Sequence, residues 1–124
     1  MLKRFFSWLI GGDLFLPDHA PMGAAPRSPH WSHVRAAHLQ REAACQVCWA
    51  RKNLAVHHIQ PFWRWPEREL DDANLITLCE APGHNCHFIW GHLLSWESWN
   101  SSVREDAAGY RERVNGRPEP DKVT

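Results

Sequence analysis

The stretch from Cys45 to His87 reads CQVCWARKNLAVHHIQPFWRWPERELDDANLITLCEAPGHNCH. Its four cysteines form two pairs, Cys45 with Cys48 and Cys79 with Cys86. Pairs of this kind meet in a tetrahedral site of four thiolates around zinc, which is closed to water and substrate and therefore structural. Two disulfides in a secreted domain, or ordinary buried thiols, are the competing uses of four cysteines. The paired spacing, with a histidine directly after Cys86, favours metal. Between the pairs lie His57, His58 and Asn74, and His87 closes the stretch. A His/Asn/His set beside a closed site points to a second, open metal position where chemistry is done.

Local patterns place these residues on a small α+β frame. Leu54 to Ile59 reads as a short strand stopped by Pro61, and Leu75 to Leu78 as a second strand leading into Cys79. Residues 61–73 read as loop, rich in Pro, Trp and charge. After a Pro82-Gly83 turn, His87 to about Trp99 has helical character despite Gly91. The result is a ββα unit between paired cysteines. Flanking helices are expected over Pro29–Ala44, with Ser28 as cap and Pro29 at the first helical position, and over Ser102–Val114. The first would carry Trp31, Val34, His38 and Arg41 on one stripe.

Residues 1–27 read as an N-terminal amphipathic and linker segment, 28–114 as the domain, and 115–124 as a polar flexible tail. Leu2, Phe5, Phe6 and Leu9 sit at helical spacing, suited to docking on the domain or on a partner. The basic start and apolar run are cut short by Asp13, which speaks against a signal peptide. No stretch is long enough to span a membrane.

Eight tryptophans in 124 residues are far more than a globular chain usually carries, and they give a small core much area per position. Such a domain benefits from a metal staple. Fourteen basic residues balance fourteen acidic ones, so there is no global basic field. Locally, residues 27–56 carry a net +4 and residues 57–80 a net −3.

Cys-x2-Cys, Val-His-His-Ile-x-Pro, Asn-Leu-Ile-Thr-Leu-Cys and Cys-His, in that order, resemble an HNH endonuclease of the His-Me finger (ββα-metal) group. The resemblance runs from about Ser28 to Val114. Its flanks, Ser28-Pro-His-Trp31 and Phe88-Ile-Trp-Gly-His-Leu93, are similar to a compact stand-alone bacterial or phage subgroup. It implies a cytoplasmic enzyme that hydrolyses phosphodiester bonds in DNA, with RNA left open. His58 matches the general base, and His57 and His87 match the ligands of one catalytic divalent cation. Asn74 matches the central Asn that orients the base's loop, and Cys45, Cys48, Cys79 and Cys86 match the structural Zn2+ site. Two protein ligands leave positions for water and phosphate. His at 57, where relatives often have Asp, softens the site, so Zn2+, Ni2+ or Mn2+ can compete with Mg2+.

Further positions carry weaker readings. On a regular helix His92 falls about 140° around from His87, which makes it a secondary candidate suited to packing or phosphate contact. Arg51 and Lys52 are secondary candidates for phosphate contact, with a solvated turn as the plain alternative. His84 is a spare ligand or a solvated side chain. Adjacent strand residues face opposite ways, so His57 and His58 share a site only where the strand bends. Trp49 stands where knuckles carry Gly or another small residue, and strain is expected there. Trp63, Arg64 and Trp65 read as cover for the small core, with nucleic-acid contact as the alternative. A catalytically silent, zinc-stabilised binding module is the competing function. A redox role lacks the βαβ setting that a thioredoxin-like motif needs.

Overall fold

The computed structural model describes residues 26–116. The expected N-terminal amphipathic segment and most of the expected C-terminal tail lie outside the described residues. Helix α1 spans Trp31–Arg41, strand β1 Leu54–His58, strand β2 Leu75–Cys79 and helix α2 Val103–Asn115. Between β2 and α2 lies a single π-helical turn, His87–Gly91. Two short 3-10 turns, Pro66–Arg68 and Asp72–Asn74, punctuate the long loop before β2.

The strands pair antiparallel, with Leu54 opposite Cys79 and His58 opposite Leu75. This register sets the histidine end of β1 beside Asn74 and the cysteine end of β2 beside the start of β1. Every residue of β2 is buried. The core gathers Val47, Ile76, Leu78, Val103 and Ala107 around Cys45, Cys79 and Cys86, with Trp90 packed against it. The cysteine cluster is therefore part of the core. Trp63, Trp65 and Trp99 form a separate, half-buried cluster, with Trp99 edge-on to the other two rings at 5.8 and 5.6 Å.

Helix α1 starts two residues later than its Ser-Pro signal suggests. Ser28 Oγ accepts from the His30 N–H, which builds a turn ahead of the helix, and His30 holds the capping position. The helix also ends early. Glu42 leaves helical geometry, and its carboxylate turns inward to accept from the Thr77 N–H of β2 at 2.8 Å. The helix expected from His87 to Trp99 is confined to one turn. Leu93 and Leu94 have positive φ (54° and 67°), which ends a right-handed helix, and the Leu94 N–H reaches back to the Phe88 carbonyl. Helix α2 follows the expectation closely. Asn100 Oδ1 takes the Ser102 N–H, and Glu105 and Asp106 complement its positive end. No described helix is long and apolar enough to cross a membrane.

Candidate active site

The four cysteines converge. Cys45, Cys79 and Cys86 are buried and Cys48 is half-buried, and none forms a disulfide. All four sulphurs lie within 4.8 Å of one another. The knuckle is held by backbone bonds: Cys45 N–H to the Ala50 carbonyl, Trp49 N–H to the Cys45 carbonyl, and Gln46 N–H to the Thr77 carbonyl of β2. A hydrogen bond from Cys86 pulls the Cys45 thiol down to about 4, and burial pushes Cys48 up to about 11. One thiolate among protonated thiols is what so crowded a set tolerates unaided. A divalent cation lets all four ionise, so the donor set fits a closed zinc site. Trp49 pays the expected conformational cost, with φ of 65°. Its ring is 54% exposed, and the Arg111 guanidinium lies 4.7 Å above it.

A second group forms where β1, the π-helical turn and the loop after it meet. The ring nitrogens of His57, His87 and His92 lie within 4.8 Å of one another. His57 Nδ1 is 3.1 Å from His87 Nε2. The outer nitrogens of two of these rings are already used. His87 Nδ1 faces the Glu80 carboxylate at 3.0 Å, and His92 Nδ1 donates to the Ser98 carbonyl at 2.8 Å. Such partners fix the tautomer and turn the Nε2 lone pairs inward, as carboxylate and carbonyl groups do behind metal-bound histidines.

Burial, with the neighbouring histidines adding to it, holds His57 well below the ordinary imidazole range. Burial and His87 likewise push His92 down to about 4. Three imidazole nitrogens this close, two of them on rings held below the ordinary range, suit a cation placed between them. This donor set fits a divalent metal with open positions.

The regular-helix expectation for His92 does not hold. Residues 87–91 are wound as a π turn, with the His92 N–H bonded to the His87 carbonyl five residues back. Five residues then make roughly one turn rather than a turn plus about 140°, and the two rings end 4.9 Å apart.

His58 diverges from His57 as strand alternation requires, yet both line one pocket of about 400 Å³. Its ring lies against Trp31, with centroids 4.6 Å apart, and Nε2 donates to the Glu69 carbonyl at 2.9 Å. A carbonyl only accepts, so the proton sits on Nε2 and the lone pair on Nδ1. Burial and the nearby Arg27 charge push the His58 pKa down to about 4, so the ring is neutral at physiological pH.

Asn74 is fully buried at the start of β2. Its Oδ1 accepts from the Gln60 N–H, and its Nδ2 donates to the Gln60 and Arg68 carbonyls. Its own carbonyl takes the Ile59 N–H. One side chain thus clamps the chain as it leaves β1, directly after the two histidines.

Arg51 and Lys52 are exposed in the turn after the knuckle and do not line the pocket. His84 Nδ1 lies 3.7 Å from Cys79 Sγ, beside the cysteine cluster. Four residues that matter here escaped the sequence reading: Arg27, Arg35, Glu80 and Ser98, all in the pocket wall. Glu80 had a signal, since it directly follows Cys79 and lies in reach of the residue after Cys86. The others come together only through packing.

Residues 45–88 match the family model described as HNH endonuclease. No curated protein and no solved structure matches the chain. The match covers both cysteine pairs together with His57, His58, Asn74 and His87. It indicates a nuclease-type function, acting on nucleic acid.

Proposed function

We propose that this chain is a metal-dependent endonuclease that hydrolyses phosphodiester bonds in DNA. The observation that carries the reading is the juxtaposition of three histidines whose ring nitrogens converge and a fourth, His58, which lines the same pocket with its proton on Nε2 and its lone pair on Nδ1. A catalytically silent binding module would have no use for that arrangement.

In the reaction, His58 Nδ1 takes a proton from a water molecule as the water oxygen bonds to phosphorus and the bond to the leaving oxygen breaks. The Glu69 carbonyl holds the ring in the tautomer that can do this, and Asn74 clamps the chain directly after it. His57, His87 and His92 would hold the divalent cation, with Glu80 and Ser98 orienting two of those rings. When bound, the cation supplies positive charge against the phosphate and the leaving oxygen. The four-cysteine zinc site serves as scaffold, because it fixes β2 and the start of the π turn to the knuckle.

Supercoiled-plasmid cleavage tests the reading. The intact protein should nick or cut plasmid with a divalent cation and stop with chelator, and His58→Ala should lose about 10²- to 10⁴-fold in rate. An intact protein that stays inert with Mg2+, Mn2+, Ni2+ and Zn2+ in turn would sink it.

A further inference from the structure

The wall of the pocket around the histidines includes four large aromatic side chains. Trp31, Phe62, Trp63 and Trp96 line it, and its cations are Arg27 and Arg35. Arg27 lies between the Trp31 and Phe62 rings, 5.0 Å from each centroid, and 3.8 Å from the Glu69 carboxylate. Arg35 is half-buried and close enough to Glu80 to lower its pKa. Its guanidinium makes no hydrogen bond or ion pair within the described residues, so its donors are available to an anion. Trp63 is half-buried and propped edge to face against Trp99 at 5.8 Å, which leaves part of the ring on the pocket. Trp96 packs on Phe88, His87 and His92, so the aromatic wall is continuous with the histidine set.

This wall is a poor match for intact duplex. A duplex shows phosphates outward and hides its base faces, and its binders spread several Lys and Arg along the backbone, typically six to ten contacts. Here the net charge is zero, and of the pocket's two guanidiniums Arg27 already faces the Glu69 carboxylate. An unpaired strand offers what the wall can use, because each base exposes a π face that stacks on an aromatic ring regardless of sequence. Stacking of this kind changes affinity on the order of tenfold to a hundredfold per base.

Resting on the nuclease reading above, we infer that the pocket takes an unpaired nucleotide and that the substrate is single-stranded DNA in preference to duplex. Arg35 clamps a phosphate beside the scissile one, and Trp63 carries a splayed base.

The test is binding of full-length His58→Ala, which holds DNA uncut, to a labelled oligonucleotide and to its duplex over a salt series. The single strand should bind at least tenfold tighter. One phosphate neutralised by Arg35 gives a slope of log affinity against log salt of about −0.7, and Arg35→Gln should remove most of it. Trp63→Leu should weaken single-strand binding about tenfold, and Trp63→Phe should restore most of it. Since both keep an apolar side chain, an unchanged melting temperature shows that the fold persists.

Duplex binding as tight as the single strand, or loss from Trp63→Leu shared equally by both forms, would overturn the inference. Cleavage by the intact protein separates the two readings. Equal cutting of both forms overturns the strand preference and leaves the nuclease. Single-strand binding with no cutting overturns hydrolysis and supports the strand preference.

Discussion

At the scale of single residues, the site depends on two positions where backbone conformation and side-chain size are in tension. Gly91 ends the π turn, and a Cβ there would meet His57 Nε2 and Leu78 Cδ1, each at 3.1 Å. Neither neighbour can yield easily, since Leu78 and His57 are both buried, and on the proposed reading His57 would be pushed off the cation. Gly91→Ala should therefore weaken binding of the catalytic metal about 10- to 100-fold, the range seen when ligand orientation is disturbed. Titration with Mn2+ or Ni2+ measures it, and unchanged affinity would show that His57 is not a ligand.

Trp49 poses the opposite problem, a large side chain at φ of 65° with Arg111 stacked on it. Replacement by Gly relieves about 1–2 kcal/mol of left-handed strain but loses a cation–π contact of about 0.5–1 kcal/mol. Replacement by Ala loses the contact and keeps the strain. Trp49→Gly should thus be more stable than Trp49→Ala by about 1 kcal/mol, as urea midpoints would show. The reverse order would mean that a Cβ costs nothing at this backbone position and that Trp49 carries no left-handed strain.

At the scale of elements, the four sulphurs bring the knuckle, β2 and the start of the π turn together, so a cation shared among them would tie the three into one unit. Structural zinc sites of this type contribute about 10–16 kcal/mol of apparent binding energy, as much as a small domain's whole stability. Cys45→Ser should lose its tightly bound zinc on metal analysis and unfold at neutral pH by circular dichroism. A variant that kept both would refute the structural site.

The same elements show what could be read in advance. The cysteine pairs, the histidine pair and Asn74 declared themselves because residue type and order carry their meaning, and the strands show as short apolar runs bounded by Pro61 and Cys79. The π turn left no such mark, because Phe88 to Gly91 would suit an α turn equally well, and an α turn would aim His92 away from His87 rather than beside it. Two consecutive leucines at positive φ are also illegible, since propensity argues against them and only tertiary packing holds them there. Arg35 was invisible as a site residue because its place in the wall depends on how α1 lies over β1.

At the scale of the whole molecule, that lie of α1 is set by one carboxylate. Glu42, at the end of α1, accepts from the Thr77 N–H of β2 and from Arg104 of α2 at 2.9 and 3.3 Å, and it holds His38 Nε2 at 3.0 Å. Arg104 donates onward to the Leu75 carbonyl, and His38 Nδ1 reaches Asp72 at 2.8 Å. Both helices and the sheet are thereby tied at one point.

Burial alone would lower the His38 pKa, but its hydrogen bonds to Glu42 and Asp72 outweigh burial and raise it. A raised histidine stabilises fully below its unfolded value of about 6.5, and the gain fades as pH climbs through the folded value. For Glu42 burial pushes the other way from its bonds to His38, Arg104 and Thr77, and the bonds win, leaving it at about 2. Its stabilisation is present above about 4.5 and is lost as pH falls toward 2.

The buried site histidines bend the total curve in the opposite sense, because their lowered values cost stability as pH drops below about 6.5. The sign of His38 is therefore read as a difference. Wild type should exceed His38→Gln by about 1–2 kcal/mol near pH 6, and the gap should narrow steadily above about 6.5. Urea unfolding of both proteins across pH 5 to 9, with chelator present throughout, gives that difference. A gap that widened with rising pH would mean that His38 is held neutral, and that the network rests on Glu42 and Arg104 without it.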